Sequence, residues 1–136
     1  MTDRPVPDLD AALVLGMAST AIPFANSREA EAERWLRILR LHGEAGATLQ
    51  SLGVSEGPLE VAPEHDEGAP SGAEDIVGRV GEAAAASAAR RDAASFGTAD
   101  VLLAVIDVYG SDFNHVLRAH GTDREEVLER IELLAA

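Results

Sequence analysis

The run Phe96-Gly97-Thr98-Ala99-Asp100-Val101-Leu102-Leu103-Ala104-Val105-Ile106 constrains this chain more than any other stretch. Thr98 is read as the cap of a helix reaching about Val108, and Val101, Leu102, Leu103, Val105, Ile106 and Val108 leave it almost no polar side. A helix apolar around its circumference belongs in the middle of a core. A short second helix starts at Ser111, places Phe113, Val116, Leu117 and His120 at helical spacing, and ends at Gly121. Glycine is the residue that most readily takes the left-handed stop.

The remaining periodicity is also helical. Asp8 caps a first helix to about Thr20, with Leu9, Ala12, Leu13 and Met17 as its inward stripe. Ile22-Pro23 breaks it. Ser27 caps a second helix carrying Trp35, Leu36, Ile38, Leu39 and Leu41. A third runs from about Glu44 to Leu52, with Leu49 and Leu52 inward and Gly53 as its stop. Ser71-Gly72-Ala73-Glu74 is a capping-box pattern opening a small-residue helix to about Arg91. Thr122-Asp123-Arg124-Glu125 opens the last helix, with Val127, Leu128, Ile131 and Leu134 on one stripe. No segment alternates convincingly, so the expected class is all-α.

Composition bounds the function. Acidic residues number 24 against 11 basic ones, a formal net charge of −13. Nucleic acid and anionic membrane surfaces require a basic footprint, so neither is an expected partner. No apolar run approaches the roughly 18 residues of a membrane span, and the amino terminus has no signal pattern. The expected compartment is the cytoplasm. Without cysteine there is no thiolate nucleophile or metal ligand, and without lysine there is no phosphate-binding Gly-Lys-Ser/Thr loop. No two of His42, His65, His115 and His120 lie four residues apart. Glu29, Glu31 and Glu33 sit near a helix start, as do Asp123, Glu125 and Glu126, where the macrodipole favours anions. The reading is a non-enzyme with no metal and no cofactor.

Aligning Gly53 with Gly121 brings Leu49 onto Leu117, Ile38 onto Ile106 and Trp35 onto Leu103. The order of long helix, apolar helix, short helix and glycine stop then appears twice, which points to a duplicated unit. The divisions are a loose tail at 1–7, a first repeat at 8–54, an acidic Gly/Pro linker at 55–72 and a second repeat at 73–136. Gly97-Thr98 followed by Val101-Leu102-Leu103, then Val116-Leu117 and Gly121 without a gap, resembles the repeat of the Clp amino-terminal domain. That domain is the substrate- and adaptor-binding part of the Clp-type unfoldases. Leu49-Gln50-Ser51-Leu52-Gly53-Val54 is similar to the end of the same repeat.

The resemblance implies a pseudo-twofold bundle of two repeats of about four short helices, without the ATPase. It implies binding of a Clp unfoldase, adaptor or substrate proteins, or peptidic ligands, as a monomer or small homo-oligomer. Some members pair phosphorylated arginine with a glutamate after Gly-Thr. Here that position is Ala99, and Glu31 or Glu33 stands nearest in the first repeat. The candidate contact residues are Thr98, Asp100, Tyr109, Phe113, Glu31, Glu33 and Trp35. Trp35 is either a binding anchor or a core residue. Phe113 either joins Tyr109 at a ligand surface or fills the core between repeats.

Overall fold

The computed structural model describes residues 5–25, 27–54 and 75–135. Among these, the elements in chain order are β1 (Val6–Pro7), α1 (Leu9–Ala21), a 3-10 turn (Ile22–Phe24), α2 (Arg28–Leu39), α3 (Gly43–Ser51), α4 (Ile76–Arg90), β2 (Ser95–Phe96), α5 (Thr98–Tyr109), α6 (Ser111–Ala119) and α7 (Arg124–Ala135). The fold is mostly helical, as the periodicity predicts. The linker at 55–72, the Ser71–Glu74 cap and the Leu134 side chain fall outside the described residues, as does the tail before Pro5.

Helix α5 is the hub and contacts each of the other six described helices. Val101, Leu102, Ala104, Val105 and Ile106 are buried along it. Around it, Trp35, Leu36 and Leu39 come from α2, Leu49 from α3, Val80, Ala84 and Ala88 from α4, and Phe113 and Leu117 from α6. Alanines along α4 let it lie close to α5, which is its principal partner.

Two beginnings are coupled by a short parallel pairing that alternation did not reveal. Val6 pairs with Ser95 and Pro7 with Phe96. Val6 N–H donates to the Ala94 carbonyl at 3.2 Å and Asp8 N–H to that of Phe96 at 2.9 Å. Residues 5–7, read from sequence as loose tail, are thereby tied to the start of α5. With two residues per strand, the pairing is too short for hydrophobic alternation to register.

Helix ends follow local chemistry. Asp8 accepts from Ala11 N–H and Ser27 from Ala30 N–H, each satisfying a donor that the helix itself leaves free. Asp75 caps α4 by accepting from Gly78 N–H. Asp123 caps α7 through Glu126 N–H, one residue later than the Thr122 box predicts. Thr122 instead donates its hydroxyl to Glu126. Three helices stop alike, with a left-handed residue at Gly53, Asp92 and Gly121. In each, the next amide reaches back to the helix: Val54 to Leu49, Ala93 to Ala88 and Thr122 to Leu117, at 3.0–3.1 Å.

Helices α3 and α6, which the alignment of Gly53 with Gly121 sets side by side, are both nine residues long, and each is followed by an exposed glycine in the left-handed conformation. Correspondence of burial is partial. Ile38 and Ile106 are both buried, but Leu39 is buried where Asp107 is exposed.

Helix α1 corrects the sequence reading. Its inward residues are Ala11, Val14 and Ala18, while Leu9, Leu13 and Met17 face outward. Apolar residues lie on both sides of this helix, so periodicity alone does not choose between them. Leu41, assigned to the inward side of α2, is also exposed, because it lies beyond the helix end in a turn.

Candidate functional site

The residues singled out from sequence assemble mainly where α2 crosses α6 and the end of α5. Tyr109, the last residue of α5, is buried between them. Trp35 Nε1–H donates to the Tyr109 oxygen at 3.0 Å, and the Tyr109 hydroxyl donates to Glu31 Oε1 at 2.7 Å. Trp35 is fully buried and Glu31 nearly so. This chain satisfies an indole donor and a buried carboxylate through one phenol. Burial first, and the hydrogen bond to Glu31 second, push the Tyr109 phenol above its ordinary range.

Arg28 closes this corner. Its guanidinium lies over the Tyr109 ring, 4.8 Å from the centroid. It also donates to the Val108 carbonyl at 3.0 Å and to Asp112 at 3.2 Å. Arginine at a helix start opposes the macrodipole, so these partners supply the compensation. Two further pairs run along the α2–α6 seam: Glu29 with His115 at 3.0 Å, and Glu33 with His120 at 3.2 Å. Glu33 also accepts from Arg37 one turn on. His120, which follows the last residue of α6, is therefore held by a side chain of a neighbouring helix.

Thr98 and Asp100 lie at the other end of α5, apart from that corner. Thr98 does not cap its own helix. Gly97 occupies the cap position, and the Thr98 hydroxyl accepts from Ala45 N–H in the first turn of α3 at 2.9 Å. A residue at the start of α5 thus caps α3. Asp100 is buried and accepts from both terminal nitrogens of Arg91 and from Gly97 N–H. The hydrogen bond from the guanidinium to Asp100 is the main reason that Arg91 holds its proton more tightly than an ordinary arginine. Phe113 is fully buried in the shared core.

Thr98, Asp100, Tyr109, Phe113, Glu31 and Trp35 therefore point inward, and Glu33 is half-buried and doubly paired. They hold helices together in this conformation, and none presents a free side chain to a partner. Sequence reasoning missed Arg28 and Arg91, whose partners lie 84 and 9 residues away. The position of Arg28 at an unfavourable helix end was the available signal. Among the described residues, no group of three His, Cys, Asp or Glu side chains is placed to hold a metal ion. No described helix is long and apolar enough to cross a membrane.

Among the described residues, three large apolar side chains are exposed together on the outer side of α1, where Leu9, Leu13 and Met17 are 76%, 47% and 42% exposed. Compared with protein-family models, curated proteins and solved structures, the chain matches none of them.

Proposed function

We propose that this chain is a non-enzymatic protein- or peptide-binding domain resembling the Clp amino-terminal domain. Its two related repeats would clasp one another about a pseudo-twofold axis. It acts in the cytoplasm as a decoy, adaptor or ligand-sequestering protein in Clp-dependent proteolysis. The observation that carries this reading is the gapless spacing from Gly97-Thr98 through Val116-Leu117 to Gly121. Its echo at Leu49 and Gly53, with the same helix length and the same left-handed stop, supports it. A strongly acidic chain suits a protein partner better than a polyanion.

The test is a pull-down of the purified chain against a Clp unfoldase, its adaptors and peptidic Clp ligands. Saturable binding to at least one is the expected result. Binding to none of them removes the reading.

A second reading is a structural or oligomerising helical protein that keeps the fold and has lost ligand binding. Two observations favour it. Ala99 stands where the family carries its ligand-pairing glutamate, and the other candidate contact residues are engaged inside the fold.

A further inference from the structure

We infer that the outer face of α1 is a self-association surface, and that its occupant is the same helix of a second copy. The central line of this face is Leu9, Leu13, Gly16 and Thr20, all exposed. Their alternating spacing of four and three residues is that of a helix–helix seam. Ala12 and Met17 flank the line, also exposed. The one charged residue on the outer side, Asp10, sits at its edge with its carboxylate turned toward Gly43 at the start of α3. Val6 just before the helix and Phe24 just after it are each 59% exposed.

Gly16 is the second observation. It stands at the middle of the helix with an ordinary helical backbone, and a Cβ built there meets nothing within 4 Å. Nothing among the described residues requires glycine there, yet glycine in a helix interior is about 0.5–1 kcal/mol worse than alanine. A small residue between Leu13 and Met17 leaves a notch beside a ridge. Two copies related by a twofold axis near Gly16 place each ridge against the other's notch, since an isologous contact needs a self-complementary surface.

Size and charge select this occupant. The exposed parts of Leu9, Leu13 and Met17, with those of Val6 and Phe24 beyond the two ends of the helix, amount to on the order of 500 Å² of apolar surface. With Ala12, Gly16, Ser19 and Thr20 the face approaches the roughly 800 Å² per partner of a standard interface. A basic partner would be drawn to the acidic surface elsewhere, and finds no anion on this seam. Two copies at −13 each repel, and a face with a single carboxylate at its edge is where they approach at least cost. The contact therefore tightens as salt screens that repulsion. This inference is independent of any Clp partner, so it stands or fails separately from the pull-down.

The test is sedimentation equilibrium of the full chain from about 5 to about 500 μM, the range that reads a micromolar dimer, in low and in high sodium chloride. The expected result is a reversible dimer of the 14.3 kDa chain, tighter at high salt. Leu13→Glu and Gly16→Leu, both on the outer face, are expected to weaken it at least tenfold. Emission of the buried Trp35 should stay unchanged in both. A monomer throughout, or a dimer that neither substitution weakens, overturns the inference.

Discussion

Helices α1 and α5 are nearly equal in length and both carry apolar residues around most of their circumference, yet the fold treats them differently. Helix α5 is enclosed by the other six described helices. Helix α1 packs inward on one side, through Ala11, Val14 and Ala18 with Leu15 against the core's edge, and keeps Leu9, Leu13 and Met17 outside. Apolar composition sets how much burial a helix demands; its place among its neighbours sets how much one copy supplies.

The largest expected effect is the contrast itself. Leu102→Ala, in the enclosed helix, should cost about 3 kcal/mol through lost burial and the cavity left behind. Leu13→Ala, on the open side of α1, should stay within about 0.5 kcal/mol in dilute solution. Urea unfolding followed by Trp35 emission checks both. Equal costs would break the comparison.

Next is Tyr109→Phe, which strands the Trp35 donor and the buried Glu31 carboxylate, at an expected cost of about 2 kcal/mol. The same phenol gives a pH dependence. A phenol whose proton is held more tightly in the folded state contributes stability that is complete below about pH 10, the ordinary value, and is lost as pH rises beyond it. Tyr109 is the only tyrosine. Absorbance of the phenolate near 295 nm should therefore appear together with unfolding, later than in a free tyrosine. A simple titration near pH 10 with the fold intact would contradict the burial of Tyr109.

Thr98→Val keeps the shape at the start of α5 and removes the hydroxyl that accepts from Ala45 N–H. About 1 kcal/mol is expected, in the range of a lost helix cap. The loss should show as faster amide exchange in the first turn of α3, not of α5. The smallest effect has opposite signs on two readouts. Gly16→Ala should stabilise the isolated chain by about 0.5–1 kcal/mol through helix propensity. The same change should weaken self-association, because it fills part of the notch.

Much of this was legible in the sequence. Asp8 and Ser27 announce helix starts, Gly53 and Gly121 announce stops, and the unbroken apolar run of α5 announces its central place. Each rests on chemistry within a few residues. What was not legible depends on neighbours distant in sequence. The orientation of α1 was hidden because Leu9, Leu13 and Met17 look as inward as Ala11, Val14 and Ala18. Thr98 reads as a cap for its own helix, and only the approach of α3 assigns it elsewhere. Asp92 takes the left-handed stop of α4 without being glycine, which no composition rule marks. Among the candidate site residues, residue type identified polar and aromatic groups worth following. It could not say that they satisfy one another inside the fold, as Glu31, Tyr109 and Trp35 do.

The open side of α1 is tested most directly by cysteine cross-linking, since the chain has no cysteine of its own. Helices crossing at a glycine bring their Cα atoms within the range of about 4.4–6.8 Å that a disulfide spans. Under mild oxidation, Gly16→Cys should give a covalent dimer rapidly, while Ala89→Cys, exposed on α4, should give one only slowly. Equal rates at the two positions would mean that α1 faces water and nothing else.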